Sequence, residues 1–157
     1  MRPIAIVSPS SSDASLLPGC SYPSTKMAKI AGTFNMTSSE GFDDFMKEIG
    51  VGMMMRKLGS TSKPEVTFAQ KGDEWTMKTS TAMKTTEIKF MLGQEFDEST
   101  VDGRECKTTF TMEGDNLVQL QKSKGKEVKY TRSFSDTEMT MVCESNGVKC
   151  SRVYKRA

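Results

Sequence analysis

The chain has no histidine among its 157 residues. That removes the commonest general base, the commonest nitrogen ligand for zinc and every Ser-His or Cys-His nucleophile pair. There is also no Gly-x-Ser-x-Gly elbow and no glycine-rich phosphate loop, so no enzymatic activity is expected. Cysteine is scarce: Cys20, Cys106, Cys143 and Cys150 lack the paired short spacings of a zinc site and are too few for a disulfide scaffold. A reducing compartment and no bound metal are expected. No apolar run approaches the roughly 20 residues needed to cross a bilayer as a helix. Excess charge of one sign is missing too. The 22 basic and 20 acidic residues are dispersed and leave a formal net charge of +2, which argues against nucleic acid as a partner.

What is present is a one-domain length with 36% apolar and 27% charged residues, an ordinary globular composition. Residues 1–26 stand apart. They are rich in serine and proline, and their small apolar clusters (Ile4 to Val7, Leu16-Leu17) keep no period, so they read as a flexible extension. The apolar cluster is too short for a secretory signal, and a single arginine is little for a mitochondrial presequence. The working domain is expected over residues 27–157.

Within it the hydrophobic period changes once. Phe42, Phe45, Met46 and Ile49 fall at helical spacing opposite Asp43, Asp44, Lys47 and Glu48, with Thr37, Ser38 and Ser39 as cap candidates. Gly50 and Gly52 break this helix, and Met53 to Leu58 can form a second short one. After Pro64 the pattern alternates in short stretches: Glu65 to Gln70, Glu74 to Ser80, Thr86 to Met91, Cys106 to Met112, Leu117 to Gln121, Val128 to Phe134, Met139 to Cys143 and Val148 to Tyr154. Gly72-Asp73, Gly114-Asp115, Lys124-Gly125, Ser135-Asp136 and Asn146-Gly147 punctuate them as hairpin turns. With no helix between the strands, parallel crossovers are excluded and an antiparallel up-and-down meander remains. Closing it into a barrel removes its edges and leaves room for a small ligand.

Two arginines stand among aromatics in these strands. Tyr130, Arg132 and Phe134 share one face, and Cys150, Arg152 and Tyr154 share another. Parity leaves open which way they point, and a solvated outer face is the ordinary place for arginine.

Several motifs, in order, resemble the intracellular lipid-binding proteins, and most closely the fatty acid-binding branch. They are Gly32-Thr33-Phe34-Asn35-Met36, Gly41-Phe42-Asp43-Asp44-Phe45-Met46, Gly50-Val51-Gly52, Lys63-Pro64, Lys78-Thr79, Thr86 to Phe90, Leu92-Gly93 with Glu95-Phe96-Asp97-Glu98, Leu120-Gln121-Lys122 and Cys150 to Lys155. The resemblance covers Met27 to Ala157. It implies an all-β fold: a ten-stranded antiparallel up-and-down barrel of two near-orthogonal sheets with a helix-turn-helix lid, of lipocalin-like (calycin) architecture. It also turns the arginines inward, with Arg132, Arg152 and Tyr154 at the positions that hold the ligand carboxylate. Phe42, Met46, Met83 and Asp102 match cavity or portal positions, with Met83 replacing a frequent phenylalanine.

The implied function is reversible binding of one long-chain fatty acid by a cytoplasmic monomer without cofactor or metal. Lys47, Arg56 and Lys57 match basic lid positions that in some members meet anionic membranes or support nuclear entry. Two alternatives keep the fold: a carrier of a retinoic acid-type ligand and a membrane-associated structural lipid-binding protein. Cys143 and Cys150 are symmetric about Asn146-Gly147 and would face each other across a two-residue turn. Matching cysteines are paired in the myelin relative, whereas reduced thiols are expected in cytosol.

Overall fold

The computed structural model describes residues 29–82, 84–100 and 103–157. The proposed extension over residues 1–26, together with Met83 and Asp102, lies outside the described residues.

Strand β1 (Gly32–Glu40) leads into helices α1 (Phe42–Glu48) and α2 (Met53–Thr61), and nine strands follow: β2 (Glu65–Lys71), β3 (Glu74–Ser80), β4 (Thr85–Met91), β5 (Phe96–Ser99), β6 (Glu105–Glu113), β7 (Asn116–Ser123), β8 (Lys126–Phe134), β9 (Glu138–Ser145) and β10 (Val148–Arg156). All neighbours pair antiparallel in one ten-stranded ladder, β4-β3-β2-β1-β10-β9-β8-β7-β6-β5. β1 makes the ring possible. Its first half pairs with β2 and its second with β10, and the register slips between Met36 and Ser38, where a bulge bends the strand.

The eight alternating stretches all form strands, and the hairpin punctuation holds. Asn146 (φ 51°) and Gly147 (φ 85°) supply the two left-handed residues of a tight turn between β9 and β10. Two strands had no legible period. β5 has only four residues. Thr37, Ser38 and Ser39, expected to cap a helix, instead extend β1: Ser38 and Ser39 pair with β10, and Thr37 sits in the bulge with its hydroxyl donating to the Val153 carbonyl at 3.2 Å, because serine and threonine suit either role and the ladder supplies more backbone bonds. Helix α1 starts at Gly41, which has no side-chain cap; its carbonyl accepts from Phe45 N at 3.1 Å. Gly41 has φ 75°, and an added Cβ would lie 3.0 Å from the Lys149 carbonyl oxygen, so glycine suits the corner on both counts.

The ladder ends at β4 and β5, which share no register of backbone bonds among the described residues. Side chains bridge the opening. The Phe90 and Phe110 rings stack with centroids 3.8 Å apart, Phe96 lies 6.1 Å from Phe110, and Trp75 extends the stack 6.5 Å beyond Phe90. An edge-to-face cluster of Phe34, Phe68 and Phe134 fills another part of the core. Beside it, Arg156 lies 4.6 Å over the Phe34 ring and donates to the carbonyls of Lys29, Ala31, Ser135 and Asp136, tying the chain's first described residues to the β8–β9 turn. Replacing Arg156 with methionine removes these charge-assisted bonds and should lower unfolding stability by about 2 kcal/mol. A urea titration with an unchanged midpoint would show that the clamp contributes nothing.

The two helices cover the barrel unequally. α1 buries Phe45 and Met46, and its last turn is held by Lys126 Nζ on the Glu48 carbonyl at 2.6 Å and by Asn146 Nδ2 on Glu48 Oε2 at 3.1 Å. α2 buries none of its residues. Arg56 joins it to α1, donating from Nε to Asp43 Oδ1 at 3.2 Å and from Nη1 to the Val51 carbonyl at 2.9 Å.

Candidate functional site: an apolar cavity with inward arginines

Beneath the helices is a cavity of about 460 Å³, lined mostly by apolar side chains from α1, α2 and the strands. Cross-strand register explains how its polar groups reach it. Leu117, Arg132, Met141 and Arg152 are successive partners across β7, β8, β9 and β10, and Arg152 faces Ser39 on β1. Residues in one such row share a face, so the alternation that buries Leu117 and Met141 also points both arginines inward. Each arginine is only 6% exposed, which settles the face that parity had left open.

The two guanidiniums have different surroundings. Arg132 Nε and Nη1 are buried without a hydrogen-bond partner, and its guanidinium carbon lies 5.7–6.0 Å from the centres of the Tyr130, Phe68 and Phe110 rings. Burial lowers its pKa from the ordinary arginine value, with partial compensation from Tyr154, Cys143, Tyr130 and Glu98. Ring faces ease a cation's burial only in part, so this one is short of an anion. Arg152 is better supported. Its Nε donates to Ser39 Oγ at 3.2 Å, and the Phe42 ring lies 3.7 Å from its guanidinium carbon. Tyr154, two residues further along β10, is 2% exposed; burial raises its phenol pKa, against the pull of Arg152 and Arg132.

Arg132, Arg152, Tyr154, Phe42 and Met46 all line this one cavity. On the lid, Arg56 is occupied by Asp43 and Val51, and Lys47 lies 3.8 Å from Asp43. Arg56 therefore holds the lid together and is not a free surface charge, whereas Lys57 is exposed beside Met53 and Met54, which are 69% and 82% exposed.

Sequence reasoning missed a polar cluster on the same wall. Glu98 Oε1 accepts from Thr108 Oγ1 at 2.7 Å, Gln121 Nε2 at 3.0 Å and Gln119 Nε2 at 3.1 Å. The signal was there: Gln119 and Gln121 share parity with Leu117, so two amides occupy inward positions. Glu98 gave less warning, since β5 is too short to show alternation.

Cys143 and Cys150 are register partners on β9 and β10, both buried and both free thiols. The hydrogen bond between them raises the Cys143 pKa, with burial acting in the same direction, and lowers that of Cys150, which Arg152 also favours as thiolate. Exposure to diamide should therefore join Cys150 to Cys143, removing two titratable thiols, and Cys150→Ser should abolish that loss. An unchanged thiol count after oxidation would show that the thiols do not reach each other.

A nearly closed antiparallel barrel, capped by two helices around an apolar cavity with inward polar groups, is the architecture of a small-molecule container. The chain belongs to the lipocalin / cytosolic fatty-acid binding protein family, whose model matches residues 31–157. It is 46% identical over 129 residues to sodium/calcium exchanger regulatory protein 1 of Doryteuthis pealeii, covering 82% of this chain and 97% of that one. It is 45% identical over 127 residues to fatty acid-binding protein 5 of Pygoscelis papua, covering 80% of this chain and 95% of the relative. Among solved structures, the Schistosoma mansoni fatty acid binding protein in complex with arachidonic acid superposes with a TM-score of 0.82 at 32% identity, over 84% of this chain and 98% of that one.

Proposed function

We propose that this protein is an intracellular, cytoplasmic carrier that reversibly encloses one long-chain fatty acid, with Arg132, Arg152 and Tyr154 holding the carboxylate. The observation that carries the reading is Arg132, a buried guanidinium with two unpartnered nitrogens on the wall of an apolar cavity. A carboxylate supplies the missing charge and accepts the unused bonds. The acyl chain supplies affinity, since each buried methylene contributes about 0.8 kcal/mol. The cavity's 460 Å³ falls within the usual size of small-ligand sites. The arachidonic-acid complex of the Schistosoma relative supports a fatty acid as the ligand class. Binding is the whole of the proposed chemistry, and the working unit is a monomer.

Calorimetric titration of the delipidated protein with oleate and with retinoic acid tests this. Saturable one-to-one oleate binding, tighter than that of retinoic acid, is expected. Retinoic acid binding the tighter would replace the ligand with a retinoid, and no saturable binding of either would overturn the carrier reading.

Transfer of the ligand involves the lid. Met53 and Met54 project from a helix with no buried residue, next to Lys57. This composition suits transient contact with an anionic membrane through Lys57 and Lys47, with Arg56 bracing the helices. Oleate transfer to anionic vesicles should slow severalfold between about 0.05 and 0.5 M salt, because the Debye length falls below about 10 Å above 0.1 M. A transfer rate indifferent to salt would remove the membrane contact from the account.

A further inference from the structure

Glu98 is not needed to hold a fatty-acid carboxylate, yet it is 7% exposed and lines the same cavity. All three of its hydrogen bonds converge on Oε1, and no donor among the described residues meets Oε2. The carboxyl group is thus anchored by Thr108, Gln119 and Gln121 with one accepting oxygen left over. It sits on β5, five strands along the ladder from β10, which carries Arg152.

We propose that Glu98 forms a second polar subsite in this cavity, one that takes a hydroxyl carried on the acyl chain, so that the preferred ligands include hydroxylated long-chain fatty acids. The inference rests on the carrier reading above. A second carboxylate would be repelled at Glu98, and an ammonium group would share the cavity with Arg132 and Arg152, so a neutral donor fits best. A methylene lying against Oε2 leaves that oxygen without a partner, whereas a hydroxyl donates to it. Sites of this kind discriminate because the ligand lacking the donor leaves a buried polar group unsatisfied. A water can follow an unsubstituted chain into the cavity and soften the difference. Glu98 also acts electrostatically on Arg132, so the chain position that meets Oε2 depends on how the acyl chain folds back within the cavity.

The test compares stearate with hydroxystearates bearing the hydroxyl at successive chain positions and with the matching methoxystearates, titrated into the full chain by calorimetry. A methoxy group accepts hydrogen bonds but cannot donate them. At least one positional isomer should bind roughly tenfold tighter than stearate, and its methoxy counterpart should show no gain. Glu98→Gln keeps the shape and one accepting oxygen for Thr108, Gln119 and Gln121, and turns an amide NH₂ to the cavity. In that variant the methoxy acid should bind as tightly as the hydroxy acid. Stearate binding with no hydroxy isomer favoured, or with hydroxy and methoxy acids favoured equally in the wild type, overturns the subsite alone. Absence of binding by every acid overturns the carrier reading and the subsite with it.

Discussion

Replacing Arg132 with methionine should weaken oleate binding by roughly two to three orders of magnitude and, at the same time, raise the thermal midpoint of the empty protein. Both effects come from one fact. Arg132 is 6% exposed with Nε and Nη1 unpartnered, so the empty barrel carries the cost of a desolvated charge. Methionine fills comparable volume without that cost, and such exchanges stabilise by about 1–4 kcal/mol. The ligand carboxylate, once enclosed, then loses its closest uncompensated partner. Scanning calorimetry and oleate titration of the same preparation check the two halves. A variant that is both less stable and still a tight binder would mean that Arg132 is structural and not part of the anion site.

A large loss is also expected at the opening between β4 and β5. Phe110→Ala should cost about 3–5 kcal/mol, a large share of the 5–15 kcal/mol that holds a domain of this kind together. Phe110 is fully buried and stacks on Phe90 and Phe96, the aromatic bridge across the opening where β4 and β5 fail to pair. No backbone ladder stands behind that bridge, so relaxation into the space would widen the opening instead of refilling the core. Trp75, the only tryptophan, stacks on Phe90 and reports the change by its fluorescence in a urea titration. A midpoint within the scatter of surface substitutions would show that the opening is held by something other than the stack.

Much of this structure could be read from the sequence, and the reasons are local. Strands with both alternation and a glycine or asparagine turn at each end, such as Val128 to Phe134 or Val148 to Tyr154, were legible because both signals are short-range. The strand character of Thr37 to Ser39 was not, since its cause is a pairing with Arg152 and Val153, more than a hundred residues away in the chain. The inward direction of Arg132 and Arg152 had the same origin. It depends on barrel closure, a property of all ten strands, and only the family resemblance carried it at the level of sequence. Arg56 is the reverse case: its charge suggested a free lid surface, but Asp43 and the Val51 carbonyl claim it once α1 and α2 pack. The Glu98 cluster combines residues of β5, β6 and β7, and its amides showed in the pattern only as polar residues at apolar positions.

The central claim is that a fatty-acid carboxylate sits inside the barrel against the arginines. Oleate labelled with ¹³C at the carboxyl carbon, bound to the delipidated protein and followed by NMR as pH is lowered, tests it most directly. Enclosure beside Arg132 and Arg152 favours the ionised form, so the bound resonance should hold its ionised position well below the usual carboxylate pKa of roughly 4. A bound resonance that titrates in the ordinary carboxylate range would place the head group in water and contradict the account.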